Sequence, residues 1–155
     1  WTLFRPTMIY GAGSDLNVSF IGKFILRFRF FPVPNGANGL RQPVHADDLA
    51  AACIAALACE RTFGRSYNIG GGELVGRIFT ALNQRPFILP IPLSACRRLA
   101  RIVRKIPNYR FINPDMVDRT LVDLVADHTE AQSDFGYSPR KFFPTVNDIF
   151  PPLAA

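Results

Sequence analysis

Two glycine-rich segments are the part of this sequence whose spacing most suggests binding chemistry. They are RPTMIYGAGSD, from Arg5 to Asp15, and YNIGGGE, from Tyr67 to Glu73. A loop that holds the pyrophosphate of a dinucleotide has the spacing Gly-x-Gly-x-x-Gly, because its third glycine lets a helix pack closely on the preceding strand. Leu16 stands at that third position after the first segment, and the second segment also has the wrong spacing. Neither segment is therefore predicted to be a pyrophosphate site.

The first segment has a different predicted role. Pro6 is typical of the end of a strand, because proline donates no hydrogen bond to a sheet. Gly11 and Gly13 would let the backbone come close to a ligand. In open α/β sheets, ligands lie outside the carboxyl ends of the strands. We therefore expect a ligand-facing loop after a late strand of the sheet, and a plain turn is the alternative.

The histidines and nearby acids favour structural roles over catalysis. His45 is predicted to bond locally to its own loop, Asp48 to cap the helix that follows, and His128 to stand at a helix entry. No group of His, Cys and carboxylate side chains has the spacing of a metal site, so no metal is expected.

The three cysteines, Cys53, Cys59 and Cys96, are an odd number without ligand-like spacing. They are predicted to be buried and reduced, which favours a cytoplasmic protein.

Charge is distributed unevenly along the chain. The formal net charge is +6, and residues 74–114 contain eight basic side chains and no acidic one. Within this stretch, CRRLARIVRKI places Leu99, Ile102, Val103 and Ile106 on one side of a predicted helix. The pattern is typical of a solvent-exposed helix face, and a membrane-surface or anionic-ligand role is the alternative. Nucleic-acid binding is not expected, because the basic residues are not interleaved with aromatic ones.

The elements that must position these residues alternate between strand and helix. Strands are predicted at WTLFR, FPVP, LRQPVH, SYNIGGG and FILPIP. Helices are predicted at NVSFIGKFILRFRFF, ADDLAAACIAALACE (stopped by Gly64), VGRIFTALNQ, SACRRLARIVRKI, NPDMVDRTLVDL and TEAQSDFGY. The alternation indicates an α/β fold with mostly parallel strands. The strands are too few for a complete doubly wound sheet, so we expect its second half, residues 1–73, followed by a mostly helical lobe, residues 74–155. The chain begins with Trp1, and we expect further residues before it.

Four segments in order carry a family resemblance: RPTMIYGAG, GLRQPVHADDLAAACIAAL, SYNIGGGE and DHTEAQSDFGYSPR. Together they resemble the C-terminal half of the NAD-dependent epimerase/dehydratase family, the extended short-chain dehydrogenases. That family shows Arg-Pro-x-x-x-Tyr-Gly-Pro-Gly, then Arg-x-x-x-x-His-x-x-Asp-x-Ala, then Tyr-Asn-x-Gly. The resemblance covers nearly the whole chain and implies a Rossmann-type sheet followed by a small substrate-binding lobe.

The resemblance also implies binding roles. NAD or NADP would be the cofactor and a nucleotide sugar the substrate. The residues expected beside the nicotinamide are Pro6, Thr7, Met8 and Ile9. The residues expected to contact substrate are Tyr10, Gly11, Asn17, Arg41 and Arg119. Among these, Asn17 would contact a diphosphate at the start of a helix, with an ordinary N-cap as the alternative. Arg41 would clamp a phosphate with its planar guanidinium, with a surface arginine as the alternative.

The sequence departs from the family pattern at several points. Ala12 replaces the usual proline, and Leu74 follows Glu73 without the usual intervening residues, so a stretch is expected to be missing there. The family's glycine fingerprint and its Tyr-x-x-x-Lys catalytic pair lie upstream of the Arg-Pro motif, and neither occurs here. Tyr137 and Lys141 have the right spacing, but Pro139 between them prevents a shared helix face. No catalytic residue is therefore assigned.

The expected function is the substrate-side portion of an NAD(P)-dependent epimerase, dehydratase or reductase, inactive without its cofactor-binding half. The alternative is a non-catalytic nucleotide-binding scaffold or assembly subunit of the same fold, with or without a membrane contact. The family includes such a subunit in respiratory complex I, and QPVHADDLA resembles that branch as well. The resemblance also allows a homodimer.

Overall fold

Every strand in the described part of the chain pairs in parallel with one other strand. The computed structural model describes residues 1–11, 15–35, 41–71, 78, 81–83, 85, 87–110, 112–123 and 125–150. Strand β1 (Thr2–Pro6) pairs with β5 (Arg65–Ile69), β2 (Met8–Tyr10) with β4 (Pro43–His45), and β3 (Phe31–Pro34) with β6 (Ile88–Ile91). The predicted α/β class with parallel pairing is confirmed.

Within the residues that the structure describes, six α-helices are complete. They are α1 (Val18–Phe28), α2 (Ala46–Leu57), α3 (Leu93–Val103), α4 (Pro114–Arg119), α5 (Thr129–Phe135) and α6 (Val146–Ile149). Short 3-10 turns lie at Glu60–Thr62 and Pro107–Tyr109. Of the helix predicted at VGRIFTALNQ, only parts lie within the described residues, and Ile78 and Ala81 there are helical.

Helix α2 ends earlier than its sequence predicts. It stops at Leu57, and the chain then makes the 3-10 turn Glu60–Thr62, in which the Thr62 hydroxyl lies 2.9 Å from the Ala56 carbonyl oxygen. The prediction that Gly64 stops this helix is wrong. Gly64 instead ends the 3-10 turn with φ +75°, and its N–H donates to the Trp1 carbonyl at 2.7 Å.

Two separate clusters of apolar side chains form the interior. The first contains Tyr10, Val18, Ile25, Ile78, Leu82, Phe142 and Ile149. The second contains Val44, Ala52, Tyr67, Ile69, Ala131 and Tyr137. Each cluster takes residues from both sides of residue 73. The division into residues 1–73 and 74–155 stays a prediction, and the two parts share both cores.

Helix α1 contacts α6 through a glycine. A Cβ at Gly22 would overlap the Cγ2 methyl of Ile149, which is fully buried. Glycine within a helix costs about 1 kcal/mol relative to alanine. Its presence here is explained by the close approach of the C-terminal helix.

We expect Gly22→Ala to destabilise the protein by about 1–3 kcal/mol, because overpacking a filled core outweighs the gain in helix propensity. Urea denaturation followed by circular dichroism measures this. In an Ile149→Ala background, which removes the overlapping methyl, the same Gly22→Ala change should be neutral or stabilising. A stabilising effect of Gly22→Ala in the unaltered chain would contradict the contact.

Candidate functional site

The segment Thr2–Tyr10 changes its pairing partner at Thr7. Before Thr7 it pairs with β5, and after Thr7 it pairs with β4. The Thr7 N–H donates to the Ile69 carbonyl at 3.0 Å, while the Thr7 hydroxyl donates to the Gln42 carbonyl. In α/β proteins, ligands bind in the crevice outside the carboxyl ends of parallel strands, and β1 and β5 both end beside Thr7. This crevice is the candidate site.

A second glycine segment closes one side of the crevice. The Gly71 N–H donates to the same Gln42 carbonyl at 3.2 Å, and a Cβ at Gly71 would overlap the Pro43 carbonyl oxygen. The Gln42 side-chain oxygen accepts the Ala126 N–H at 3.0 Å. The main chains at Gly71 and Pro43 therefore lie too close together for a side chain at position 71. This steric constraint explains why residue 71 is glycine, with no need for a bound phosphate. Gln42 was not predicted as a site residue, because a lone glutamine carries no sequence signature.

The residues expected to contact a nicotinamide form one continuous extended segment at this crevice. Pro6 pairs with Ile69 at the end of β1, and Met8 and Ile9 pair with residues of β4. Met8 packs against the first core, whereas Ile9 is 40% exposed. The structure thus places Pro6, Thr7, Met8 and Ile9 together, and their role with a cofactor stays a prediction.

Tyr10 points into the core instead of the crevice. Its side chain is 2% exposed, and its ring lies edge-on to His45 and Phe142, with centroid separations of 5.0 and 4.9 Å. Burial, with a smaller contribution from the Asp148 carboxylate, raises the pKa of the Tyr10 phenol to about 12. Any contact of Tyr10 with a ligand therefore rests on its main chain. Gly11 follows with φ +125°, a conformation that favours glycine.

His45 links helix α2 to the C-terminal helix α6. Its Nδ1 accepts the Asp47 N–H at 3.1 Å, which makes His45 the N-cap of α2 and leaves the ring proton on Nε2. Nε2 then donates to the Asp148 carboxylate at 3.0 Å. The predicted local structural bond of His45 is present, and its bond to Asp148 adds a contact across 103 residues. Asp148 was missed, because nothing in the sequence near residue 148 indicates this partner.

The Asp148 carboxylate is held by several donors. The Thr145 N–H and hydroxyl donate to this carboxylate at 2.7 and 2.8 Å, and Thr145 and Asp148 together form a capping box at the start of α6. His45 binds the same carboxylate. Burial alone would raise the pKa of the Asp148 carboxyl. The hydrogen bonds from Thr145 and His45 outweigh burial, so this pKa is lowered.

Asp48 does not cap α2, so that prediction is wrong. Its carboxylate accepts the Arg140 N–H at 3.0 Å and the Arg140 Nε–H at 2.8 Å. His45 supplies the cap one turn earlier, which leaves Asp48 available for the segment after α5. Together with the His45 contact to Asp148, this pair fixes the C-terminal segment onto the start of α2.

Asn17 precedes α1 but its side chain makes no capping hydrogen bond. The Asp15 carboxylate occupies that place and accepts the N–H groups of Asn17 and Ser19 at 2.9 and 3.2 Å. Asn17 therefore stands at the N-cap position, as the alternative expected, but Asp15 and not Asn17 supplies the side-chain bonds. A carboxylate at the positive end of α1 also competes with a phosphate there, so the diphosphate role predicted for Asn17 rests on its side-chain amide alone.

Arg41 connects β4 to the end of helix α4. Its guanidinium donates to the Val122 carbonyl at 2.5 Å and to the Arg119 carbonyl. Cations favour the negative carbonyl end of a helix. Burial lowers the pKa of the Arg41 guanidinium, with an opposing contribution from Asp123, and arginine nevertheless stays charged at neutral pH. Arg41 thus lies beside Arg119 and bonds to its main-chain oxygen, and the substrate contacts expected of both residues stay predictions.

Tyr137 is not arranged as a catalytic base. Its hydroxyl donates to the Gly70 carbonyl at 3.1 Å, and burial raises its pKa. A cavity of about 290 Å³ lies beside it, lined in part by Gly71, Arg140 and Lys141. This cavity borders the outer side of Gly71, so it adjoins the candidate crevice without containing the residues expected to contact cofactor.

The described residues form neither a metal-binding cluster nor a helix that could span a membrane. They contain no cluster of three His, Cys, Asp or Glu side chains that could hold a metal ion. None of their helices combines the length and apolar character needed to cross a bilayer.

Relatives in sequence cover most of this chain but under half of their own length. No family model matches the chain. It is 26% identical over 156 residues to the mitochondrial NADH dehydrogenase [ubiquinone] 1 alpha subcomplex subunit 9 of Arabidopsis thaliana, covering 90% of this chain and 39% of that protein. It is 29% identical to an uncharacterized protein of Sinorhizobium fredii, covering 88% of this chain and 35% of that protein. The chain spans about two-fifths or less of the length of these relatives.

Solved structures similar to this chain include two epimerases and a third protein, which hold NAD, UDP-glucose or NADPH. UDP-glucuronic acid 4-epimerase from Bacillus cereus in complex with NAD has a TM-score of 0.61 at 15% identity, covering 95% of this chain and 40% of that one. UDP-glucose 4-epimerase from Thermotoga maritima with UDP-glucose has a TM-score of 0.56 at 18% identity, covering 88% and 40%. RMD from Pseudomonas aeruginosa complexed with NADPH has a TM-score of 0.56 at 14% identity, covering 88% and 41%. The resemblance to these proteins is confirmed, and at such identities it establishes the fold.

We expect Asp148→Asn to lower the free energy of unfolding by roughly 1–2 kcal/mol at neutral pH, through loss of charge-assisted hydrogen bonds. Because folding lowers the Asp148 pKa, the contribution is fully present above the ordinary carboxyl value of about 4 and is lost as pH falls through the lower folded value. The difference from wild type should therefore shrink as the buffer is made more acidic than about pH 4. Denaturation in buffers above and below this pH measures it.

The control for Asp148 is Asn147→Ala, a change at an exposed neighbour on the same helix that cannot titrate. Its effect should not depend on pH. A difference for Asp148→Asn that stays constant down to the most acidic buffer would contradict the lowered pKa.

We expect Arg41→Ala to destabilise the protein by about 1.5–3 kcal/mol, because the carbonyls at the end of α4 lose a charged donor. Arg41→Lys should recover part of this, since an ammonium keeps the charge but loses the planar fork. Thermal and urea unfolding measure both variants. Arg98→Ala, on an exposed surface, should change stability by less than about 0.5 kcal/mol, and an equally small effect at Arg41 would show that its carbonyl contacts contribute nothing.

Proposed function

We propose that this chain is the substrate-side portion of an NAD(P)-dependent epimerase, dehydratase or reductase that acts on a nucleotide sugar. The observation that carries the proposal is the change of strand partner at Thr7, in a chain whose fold is that of the epimerases above. Ligands of open α/β sheets lie outside the carboxyl ends of the strands, and β1 and β5 end here at Pro6 and Ile69. The segment predicted to contact the nicotinamide lies at this point.

The pairing of β1 supports the need for a further half. Among the described residues, β1 and β5 form a two-stranded sheet, and Leu3 on β1 is 49% exposed while Trp1 is 80% exposed. Two strands alone form a marginally stable sheet. Additional strands would extend the β1 edge and cover this apolar surface. The coverage of about 40% of each similar structure agrees with such an arrangement.

The cofactor would be NAD or NADP, whose nicotinamide carries the hydride that such enzymes transfer. The described residues of this chain fit only the nicotinamide end of the cofactor. Main-chain groups from Pro6 to Ile9 lie at the strand ends, where they can border a nicotinamide. The glycines at 11 and 71 pack against His45 and Pro43, so they form no cradle for a pyrophosphate. That cradle belongs to the proposed upstream half.

The substrate contacts we propose are the main chain of Tyr10 and Gly11, the Asn17 amide, and the side chains of Arg41 and Arg119. Asn17 supports this role because its amide is not used as a helix cap. Arg41 has five N–H donors, and its described bonds to carbonyls hold the guanidinium in one orientation. A phosphate would then be met by a pre-positioned cation.

A second candidate is a non-catalytic scaffold of the same fold. The observation that favours it is the match to a subunit of mitochondrial NADH dehydrogenase, which covers 90% of this chain. In that case a nucleotide would bind without turnover.

Calorimetric titration of the 155-residue chain and of its full-length parent tests the proposal. The parent should bind NADH or NADPH and a UDP- or dTDP-sugar, whereas the chain alone should bind neither cofactor tightly. In the parent, Arg41→Ala should weaken the nucleotide sugar about tenfold or more and leave cofactor affinity nearly unchanged. Arg98→Ala is the matched control and should change neither.

The outcomes separate the candidates. Micromolar NADH binding by the chain alone would overturn the requirement for a second half. Cofactor binding by the parent without turnover of any nucleotide sugar would favour the scaffold. Equal nucleotide-sugar affinity in wild type and Arg41→Ala would exclude the phosphate contact.

A further inference from the structure

Helix α3 turns part of its apolar side outward. Its inner side consists of the buried Cys96 and Ala100 and the half-buried Val103. At 100° per residue, Ile102 lies on nearly the opposite side from this inner stripe. Ile102 is 63% exposed, and Leu99 and Ile106 are each 48% exposed. The sequence grouped these three with Val103 on one side, but only Val103 reaches the interior.

Four cations flank these apolar side chains. Arg98, Arg101, Arg104 and Lys105 are all exposed, and none forms an ion pair with any residue that the structure describes. Arg97, which also lies on α3, differs from these four cations because it forms an ion pair with Asp118 at 2.7 Å. Residues 74–114 contain no acid. We call the three exposed apolar residues and these four cations the basic face.

We propose that the basic face docks peripherally on a membrane surface that contains anionic lipid. Leucine and isoleucine flanked by arginine and lysine suit the boundary between headgroups and acyl chains, where apolar side chains enter and cations meet phosphate. Each cation near an anionic leaflet contributes about fivefold to partitioning. Leu99 and Ile102 project from α3, and Ile106, with Arg104 and Lys105, lies in the turn immediately after it.

Charge argues against a second copy of the chain as the occupant. In a symmetric dimer the same surface meets itself, so four cations would face four cations. A soluble polyanion would neutralise the cations but would leave Leu99, Ile102 and Ile106 in water. An anionic lipid surface would neutralise the four cations and would also remove the three apolar side chains from water.

The test is co-sedimentation of the 155-residue chain with vesicles of phosphatidylcholine alone or mixed with phosphatidylglycerol, at an ionic strength of about 0.15 M. We expect retention on the anionic vesicles only. Glycerol phosphate, the soluble headgroup, should not compete at concentrations matched to the lipid. Competition by glycerol phosphate would identify an anion site instead of a membrane surface.

Matched variants separate the basic face from overall charge. Arg98→Gln/Arg101→Gln should weaken partitioning by roughly twenty-fivefold, from two contributions of about fivefold each. Arg61→Gln/Lys141→Gln removes two exposed cations elsewhere and should weaken it by less than about threefold. Ile102→Gln should weaken it roughly tenfold without changing net charge, because an apolar side chain no longer enters the boundary. Circular dichroism confirms that each variant is folded.

Three results would overturn the proposal. One is failure of the wild-type chain to bind anionic vesicles. Another is equal weakening by the two double variants, which would show attraction by net charge alone. The third is a concentration-dependent dimer in size-exclusion chromatography that Ile102→Gln dissociates, which would place a second copy on this face.

Discussion

The hydrogen bonds of Gln42 hold together the part of the structure on which the candidate site depends. Its carbonyl accepts from the Thr7 hydroxyl and the Gly71 N–H, and its side-chain oxygen accepts from the Ala126 N–H. These three donors come from the β1–β2 junction, the end of β5 and the segment before α5. One residue therefore fixes the point where the extended segment changes partner. The close approach around it permits only glycine at 71, which accounts for the glycine run without any phosphate chemistry.

The C-terminal segment completes this arrangement from the other side. Phe142 and Ile149 are fully buried in the first core, while Asp48 and His45 bind Arg140 and Asp148. The polar contacts lie at the start of α2, immediately after the strand that pairs with β2. Residues more than 90 positions apart thus position one crevice. Loss of either polar contact is expected to act on stability first and on ligand binding through it.

The two proposals use different surfaces of the molecule. The crevice is built from main-chain groups at strand ends and is supported by buried contacts. The basic face lies on α3, whose inner side packs through small residues such as Ala100 and whose outer side carries unpaired cations among the described residues. A protein that binds a nucleotide in the crevice and a membrane through α3 would hold that ligand near the lipid surface. Each property can be lost without the other, because no residue belongs to both surfaces.

The sequence by itself determined the class of fold and the order of most of its elements, although strand β2 and helix α6 were not predicted. Alternating strand and helix patterns require parallel pairing, since each crossover reverses the chain direction before the next strand. The Arg-Pro, His-x-x-Asp and Tyr-Asn-x-Gly segments led to the correct structural relatives, because local spacing reflects how each strand ends. The sequence also correctly indicated that His45 makes a local structural bond.

Only the tertiary structure decided which partner each side chain takes. Asp48 was expected to cap α2, but Arg140 reaches it from 92 residues away while His45 fills the cap. Tyr10 was expected beside a substrate, yet its ring is enclosed by His45 and Phe142. Helical periodicity placed Leu99, Ile102 and Val103 on one side of α3. Which side of α3 faces the core depends on where α4 and β3 pack against it, and the local sequence of α3 does not contain that information. Pairings of this kind depend on contacts between residues distant in the chain, so they appear only when the chain is folded.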